Sequence, residues 1–209
     1  MNYDSGCQDG RSKDAVTTET SSPDATRTLR ADARRNRERI LESARAVFAE
    51  AGADAQMDDV ARRAGVGVGT VYRHFPTKEA LMVELVRQKF RLFGDRMRAA
   101  LEREGDPFEA LADVMRLNAE TAAKDAATQL AITSAGDHIW RQASAEQEEL
   151  LALTDQLIAR ARRAGTIRPD VRGSEIGMLM CGVCSSMGFS LPGFDWRRHL
   201  DLVIDTLKA

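Results

Sequence analysis

The sequence predicts an all-α protein, with a small N-terminal unit of three short helices and a larger helical C-terminal unit. Aromatic residues make up only 5% of the 209 residues and Pro occurs 5 times, while Ala, Leu, Arg and Glu recur throughout. Those residues favour helices, whereas a β-sandwich or barrel needs more Val, Ile, Thr and aromatic side chains. Apolar residues also recur at helical spacing along most of the chain, and no segment of any length alternates as a strand does.

Composition restricts the class of protein further. The chain is 43% hydrophobic and 30% charged, which indicates a folded protein rather than a disordered or membrane-spanning one. Its 30 basic and 32 acidic residues nearly cancel, so any surface for nucleic acid must be local. Three cysteines cannot make a disulfide framework, and no apolar run approaches the roughly 20 residues of a membrane span. We therefore expect a cytoplasmic protein with no membrane partner.

The chain divides by composition into an arm and two helical domains. Residues 1–32 are rich in Ser, Thr, Asp and Gly and have almost no large apolar side chains, so they are predicted to form a disordered arm. Arg27 and Arg30 leave open whether this arm touches an anionic partner or is a solvated tail without a role. Residues 33–80 and 81–209 are predicted to be the two helical domains.

Three short helices are predicted in the first of these domains. The first has an apolar stripe and is ended by Gly52. The second covers about 57–64, Gly65 permits the left-handed turn after it, and the third covers about 68–74 and ends before Pro76. The apolar stripe of the first helix consists of Ile40, Leu41, Ala44, Val47 and Phe48.

A long helix is predicted to connect the two domains. Thr77 is a good N-cap, and the helical pattern runs from there to about residue 103. At about 1.5 Å per residue this helix would be roughly 40 Å long, which exceeds the small domain before it and suggests a strut. Further helices are predicted at about 108–124, 127–134, 143–163, 174–189 and 196–208.

The second and third short helices, joined by a glycine turn, meet the requirements of a helix-turn-helix. The third helix has an unusual outer face, with Thr70, Tyr72, Arg73 and His74, and Lys78 follows just past the proline. Such side chains bind phosphates and base edges and have little reason to cluster on a merely solvated helix. The pattern therefore predicts a DNA-binding domain.

Several segments resemble one family. The run GVGVGTVYRHFPTKEAL (65–81) closely resembles the recognition-helix signature of TetR-family transcriptional regulators, and RERILESARAVFAEAG (37–52) and MDDVARRAG (57–65) resemble that family's first two helices. ARARRAGTIRPDV (159–171) and WRRHLDLVIDTLKA (196–209) resemble the regulatory domain of an SbtR-like subgroup. Gly67 and Gln56 depart from the family pattern, because Ser or Thr is usual before each of these helices.

The resemblance implies roles for individual residues. Thr70, Tyr72, His74 and Lys78 would mostly bind the DNA backbone, while three others would face base edges. Alternatively, Tyr72 is partly core. The candidate DNA-binding residues are Arg37, Gly67, Val68, Gly69, Thr70, Tyr72, Arg73, His74 and Lys78, of which Val68, Gly69 and Arg73 are those assigned to base edges.

As a whole, the resemblance implies a repressor that binds a palindromic double-stranded DNA operator as a homodimer and is released by a small-molecule inducer. The alternative is a helical small-molecule-binding or sequestering protein with a vestigial helix-turn-helix. The intact face at residues 70–74 distinguishes the two, because a non-binding relic would have little reason to keep it. No nucleophile–base pair, phosphate loop or paired carboxylates indicate an enzyme, and we expect neither a cofactor nor a metal.

Dimerisation is predicted on the last two helices, because a palindromic operator requires two recognition helices about 34–36 Å apart. The alternative is that both helices close the monomer's own core. The predicted interface residues are Met178, Cys181, Gly182, Ser185, Leu200, Val203, Ile204 and Leu207.

Candidates for a ligand pocket are methionine, histidine and tryptophan residues of the second domain, although such residues at helical spacing are more often simply core. Cys181 and Cys184 form a CxxC, which without a second pair or a histidine at matching spacing favours small residues in a core or interface over a zinc or redox site. The candidate pocket residues are Met115, His138, Trp140, Met178 and Met187.

Overall fold

The structure is a computed structural model that describes residues 23–125, 137–187 and 192–209. The helix predicted at about 127–134 and the side chain of Trp140 lie outside the described residues. The chain divides into two units, Met1–Arg35 and Asn36–Ala209, and both domains considered below belong to the second unit from Asn36 onward.

Helices account for most of the described residues, which confirms the all-α prediction. In chain order the helices are α1 (Pro23–Ala51), α2 (Met57–Ala64), α3 (Val68–His74), α4 (Lys78–Glu102), α5 (Pro107–Lys124), α6 (Asp137–Gln142), α7 (Ser144–Ala164), α8 (Gly173–Ser186) and α9 (Trp196–Asp205). A 3₁₀ turn, Gly52–Asp54, follows α1. Within the described ranges, β structure is limited to an isolated bridge between Ile167 and Lys208. No helix in this part of the chain is both long and apolar enough to cross a membrane.

The first helix begins earlier than the sequence pattern indicated. α1 starts at Pro23 rather than near residue 33, so residues 23–32 of the predicted arm are helical, while 1–22 lie outside the described residues. Proline suits the first turn of a helix, because the N–H that it lacks would have no intrahelical partner there. The Ala, Leu and Arg residues that follow have high helix propensity. The absence of large apolar side chains was therefore a poor guide to local structure here.

Helices α1 to α3 and the start of α4 enclose one apolar core, called the N-terminal core. The whole predicted stripe of α1 is buried, with at most 5% of any of these residues exposed. Helices α2, α3 and α4 contribute most of the remaining side chains, together with Ala55 before α2 and Phe75 after α3. The N-terminal core includes Ile40, Leu41, Ala44, Val47, Phe48, Val60, Ala61, Val71, Phe75, Leu81 and Leu85.

Gly65 makes the turn between α2 and α3, as predicted. Its φ is 63° and its ψ is 37°, a left-handed conformation that strains any residue with a Cβ. The N–H of Gly65 donates to the carbonyl of Arg62 at 3.3 Å, and the N–H of Val66 donates to that of Ala61 at 3.1 Å. Val66 then packs, half-buried, against the N-terminal core. This turn sets the direction in which α3 leaves α2.

Helix α4 belongs to both domains. It is capped by Thr77, whose side-chain oxygen accepts from the N–H of Ala80 at 3.1 Å. Its 25 residues span about 37 Å. Leu81 and Leu85 near its start lie in the N-terminal core, whereas Met97 and Ala100 near its end lie in a second core. One continuous helix therefore connects the two domains.

The second core, called the C-terminal core, is formed by α5, α7, α8 and α9 together with the end of α4. Asp106 caps α5 by accepting from the N–H of Phe108 at 2.8 Å, with Pro107 in the first turn. Phe108 is itself 2% exposed, so the cap and the core meet at the same place. The C-terminal core includes Met97, Phe108, Leu111, Met115, Leu157, Ile158, Ile176, Val183, Leu200, Ile204 and Leu207.

The position of α9 corrects part of the predicted dimer interface. Leu200, Ile204 and Leu207 are buried, with at most 5% exposed, and Val203 packs partly buried against the same C-terminal core. These residues close the monomer's own core, as the alternative interpretation had it. An amphipathic stripe has the same period whichever helices cover it, so the sequence pattern did not distinguish the two cases.

Candidate nucleic-acid interface

The outer side of α3 is exposed, and we call it the recognition surface. Val71 is fully buried and anchors the helix on the N-terminal core, while Val68 is 39% exposed and Tyr72 is 45% exposed. Tyr72 is not among the residues that form the N-terminal core or pack against it. The recognition surface consists of Val68, Gly69, Thr70, Tyr72, Arg73 and His74, all of them exposed or half-buried.

Two glycines lie at the start of the recognition surface without being required by the fold. A Cβ added at Gly67 or at Gly69 would meet no atom within 4 Å, and neither residue has the positive φ that demands glycine. Glycine within a helix costs about 0.5–1 kcal/mol relative to alanine. At Gly67, and at Gln56 before α2, no side chain caps the helix, in line with the departure of both positions from the usual Ser or Thr.

Arg73 lies along its own helix. Its Nη2 donates to the side-chain oxygen of Thr70 at 2.9 Å, and its Nε donates to the carbonyl of Gly69 at 3.3 Å. All three groups are exposed or half-buried, so water or a base edge can replace these bonds at low cost. The guanidinium is therefore held next to Gly69, which was predicted to face base edges, and Thr70, which was predicted to bind the DNA backbone.

Tyr72 and Lys78 meet at an open depression of about 630 Å³ between the start of α2 and the junction of α3 with α4. Lys78 is the first residue of α4, and its Nζ lies 5.5 Å from the centre of the Phe48 ring. The depression is also lined by the carboxylates Asp58 and Asp59, which belong to the first turn of α2. Tyr72 thus belongs both to this depression and to the recognition surface.

Arg37 is the candidate DNA-binding residue that lies on α1. Its Nη2 is 3.0 Å from Oε2 of Glu84, and its guanidinium lies over the Phe75 ring, 5.1 Å from the ring centre. It therefore occupies the junction of α1 with α4. Sequence reasoning did not find Glu84, because a carboxylate in an amphipathic helix is normally expected to face solvent.

Comparisons with known proteins agree with this geometry. Residues 40–85 match the family model of bacterial regulatory proteins of the tetR family, and residues 106–209 match that of the C-terminal domain of SbtR-like transcriptional regulators. The solved TetR transcription regulatory protein from Mycobacterium vanbaalenii is 40% identical, with a TM-score of 0.63, over 87% of this chain and 99% of that one. This chain belongs to the TetR family. The resemblance inferred from its motifs is confirmed.

Other relatives are also transcriptional regulators. The solved TetR transcriptional regulator SCO0520 from Streptomyces coelicolor is 32% identical, with a TM-score of 0.59, over 82% of this chain and 98% of that one. The HTH-type transcriptional repressor KstR from Mycolicibacterium smegmatis is 36% identical over 135 residues, which are 63% of this chain and 65% of the relative. The chain spans about three fifths of the length of the curated relatives it matches. The family and these relatives are transcription regulators rather than enzymes.

The candidate pocket residues of this TetR chain lie in different environments. Met115 is 2% exposed inside the C-terminal core, and Met187 packs partly buried against the same core. Met178 is 75% exposed on α8, and His138 is exposed on α6. Met115 and Met187 are thus brought to one core, whereas Met178 and His138 are not. A pocket formed by these residues stays a prediction.

Lys89 is an interior polar group that sequence reasoning missed. It is half-buried on α4, with its Nζ 5.5 Å from the centre of the Phe93 ring, and burial lowers the pKa of its ammonium. Cys184 of α8 and Asp125 oppose that shift from nearby. Burial likewise raises the pKa of the Cys184 thiol. A lysine on an amphipathic helix is normally expected to reach solvent, so no local signal identified it.

Helix α8 leaves one face uncovered. Met178, Cys181, Gly182 and Ser185 are exposed and recur at helical spacing along this face. Cys184 points to the other side and is 9% exposed, and neither of these two cysteines is in a disulfide. Leu202 on α9 is 47% exposed, in contrast to the buried stripe of that helix. Four of the predicted interface residues therefore share an open surface.

Proposed function

We propose that this protein is a transcriptional repressor that binds a two-fold symmetric DNA operator as a homodimer and dissociates when a small-molecule effector binds. The observation that carries the proposal is the recognition surface of α3. Its polar and cationic side chains are exposed on a short helix that is anchored from below by Val71. Such a surface is suited to the major groove, which admits one α-helix.

Individual residues are assigned by reach and chemistry. Arg73 can form two hydrogen bonds to guanine O6 and N7, and Val68 can pack on a thymine methyl. Thr70, Tyr72 and Lys78 donate hydrogen bonds or carry charge suited to phosphate oxygens, which fix orientation without reading sequence. Gly69 has no side chain, so the backbone of α3 can approach base edges closely at this position.

Dimerisation is assigned to the open face of α8 and to Leu202 of α9. Met178 is 75% exposed, so in a monomer a flexible apolar side chain would be left in water. Such exposure is energetically unfavourable and is typical of an interaction surface. Cys181, Gly182 and Ser185 are small, so a symmetry-related helix can approach closely. This surface retains the α8 residues of the original prediction and replaces the buried α9 stripe with Leu202.

Regulation by an effector follows from the connection between the domains. Helix α4 contributes to both cores, so a shift of the C-terminal core is carried to the start of α4 beside α3. An effector acts only through its different affinities for the two arrangements, typically about 1–3 kcal/mol of coupling. The relatives named as repressors support this direction of regulation.

Selection of bound duplexes from a random DNA library by the purified protein tests the proposal. We expect a two-fold symmetric consensus with half-sites about one DNA turn apart. Arg73→Ala should weaken consensus binding by about 1–3 kcal/mol and relax preference at one base pair. Lys78→Ala should weaken binding to all duplexes about equally. It should also reduce the salt slope, which is the slope of log binding constant against log salt concentration, by roughly one in magnitude.

Two outcomes would contradict this assignment. Equal losses on every sequence from both substitutions would show that Arg73 contacts only phosphate. Absence of any selected consensus, together with weak retention on a heparin column even at low salt, would instead support a small-molecule-sequestering protein with a vestigial helix-turn-helix.

A further inference from the structure

We infer that Arg37 is a positioning residue for DNA binding, which holds α3 against α4 by pairing with the buried carboxylate of Glu84 and does not itself contact DNA. The cluster, called the Glu84 cluster, consists of Arg37, Glu84 and Arg91. The inference rests on the proposed function, since the role concerns the orientation of the recognition surface.

Glu84 is a carboxylate within an apolar part of α4. It lies between the buried residues Val83 and Leu85, and 8% of it is exposed. Its two oxygens have separate partners: Oε1 accepts from Nη2 of Arg91 at 2.6 Å, and Oε2 is 3.0 Å from Nη2 of Arg37. Removing one partner of a buried ion pair leaves a charge that is poorly compensated, which is strongly destabilising. The buried carboxylate of Glu84 is therefore compensated by two arginines whose side chains are themselves 39% and 51% exposed.

Arg37 also contacts the end of α3. The centre of its guanidinium lies over the Phe75 ring at 5.1 Å, within the range of a cation–π interaction. Phe75 directly follows α3, and its N–H donates to the carbonyl of Val71 at 2.8 Å. Its ring is 3% exposed in the N-terminal core. A single side chain of α1 thus contacts both the end of α3 and the buried carboxylate of α4.

The orientation of α3 depends on such anchors because the helix is short. Its 7 residues make two turns, too few to be stable through their own hydrogen bonds. Hydrogen bonds to base edges need donors within a few tenths of an ångström of their acceptors, whereas attraction to phosphates falls off over about 10 Å at ordinary salt. A small tilt of α3 therefore weakens sequence-specific binding more than non-specific binding.

A set of variants tests the inference by DNA binding. Arg37→Met, Arg37→Lys and Glu84→Gln are compared on the consensus duplex from the library selection and on a scrambled duplex of equal length, at several salt concentrations. Arg98→Met is the matched control, because Arg98 also bridges two carboxylates, Asp95 and Glu149, but on the exposed surface of the C-terminal domain.

We expect Arg37→Met and Glu84→Gln each to weaken consensus binding about tenfold, with scrambled-duplex binding and the salt slope unchanged. Arg37→Lys should not restore binding, because a compact ammonium lacks the planar group that pairs with Glu84 and lies over Phe75. Arg98→Met should leave the ratio of consensus to scrambled binding as it is.

Thermal unfolding provides a second measurement that does not depend on DNA. At one protomer concentration, Arg37→Met should melt roughly 5 °C lower than the unaltered chain, and Arg98→Met within about 1–2 °C of it. The double variant Arg37→Met with Glu84→Gln should lower the melting temperature by less than the sum of the two single changes. The reason is that neither charge of the Arg37–Glu84 pair is then left without its partner.

Three results would overturn the inference. Recovery by Arg37→Lys, with a salt slope reduced by about one in Arg37→Met, would identify Arg37 as a phosphate contact. Additive melting losses would show that the cluster does not couple Arg37 to Glu84. Failure of the unaltered chain to prefer any DNA sequence would overturn the proposed function and this role together, whereas additive melting alone would leave the proposed function standing.

Discussion

Gly69 illustrates how a residue that weakens the fold indicates function. Its surroundings have room for a methyl group, and its backbone is one that any residue adopts. Local stability alone would favour alanine at this position. The proposed close approach of DNA to the backbone of α3 accounts for a glycine at this position of the recognition surface.

We therefore predict opposite effects of Gly69→Ala on stability and on DNA binding. The free energy of unfolding should rise by up to about 1 kcal/mol, while affinity for the selected operator should fall, because the methyl group stands between α3 and the bases. Chemical denaturation and a binding titration measure the two effects. Gly94→Ala on α4 is the control, since its Cβ would make an ordinary 3.7 Å contact with Leu153. Unchanged operator affinity in Gly69→Ala would contradict the proposed close approach.

Lys89 gives a prediction about pH at the same scale. Burial lowers the pKa of this ammonium in the folded chain, so the charged form destabilises the fold at neutral pH. As pH rises from the pKa of Lys89 in the folded chain to its higher pKa in the unfolded chain, the folded chain loses the Lys89 proton first. Over this range the contribution of Lys89 to the free energy of unfolding therefore increases. Lys89→Met should thus raise the melting temperature at pH 7, and the difference should shrink in alkaline buffer. A constant difference from pH 7 to 10 would contradict this account of Lys89.

At the scale of elements, the caps decide where the helices near the interface begin. Thr77 accepts from the N–H of Ala80 and starts α4 directly after the Phe75–Pro76 corner that ends α3. The position of Lys78, and hence of the cationic edge of the interface, depends on that start. Thr77 was identified from its residue type and its place after Pro76, because a cap is determined by three or four adjacent residues.

Thr77→Ala should lower the free energy of unfolding by about 1 kcal/mol, since an N–H of the first turn loses its acceptor. Thr77→Ser keeps the hydroxyl and should lose markedly less. Denaturation by urea at a single protomer concentration gives both values, because the stability of an oligomer depends on concentration. Equal losses for the two variants would show that the methyl group of Thr77, rather than its hydroxyl, matters at this position.

At the scale of the whole molecule, α4 and α8 have the largest consequences. Helix α4 connects the core beneath the recognition surface with the core of the regulatory domain. Helix α8 contributes Ile176 and Val183 to the C-terminal core and turns Met178 and Gly182 outward. One side of α8 thus completes the C-terminal core, and its other side carries the proposed dimer interface.

Gly182→Glu should convert the protein into a folded monomer. A Cβ added at Gly182 meets no atom within 4 Å and the position is exposed, so we expect the substitution to leave the fold intact while placing a charge on the proposed interface. Light scattering should report a single chain, and operator affinity should fall by about a hundredfold or more, because the two half-sites are no longer bound as one unit.

Ala99→Glu, on an exposed position of α4, is the matched control and should remain dimeric. A Gly182→Glu protein that is still dimeric at micromolar concentration and still binds the operator would show that the interface lies elsewhere. Cross-linking of the exposed Cys181 by a short bis-maleimide, in a Cys7→Ser background, would locate the interface independently.

The sequence by itself determined the local features of this protein. Helix identity, the left-handed turn at Gly65, the caps and the inward stripe of α1 follow from propensity and spacing over a few residues, and so does the outward face of α3. The early start of α1 at Pro23 was also encoded locally, in proline and good helix formers, although low apolar content obscured it. Only the tertiary structure decided the pairings between distant elements. Arg37 meets a carboxylate 47 residues away at Glu84, and the apolar stripe of α9 closes the chain's own core, because neither period nor residue type specifies which helix covers an amphipathic face.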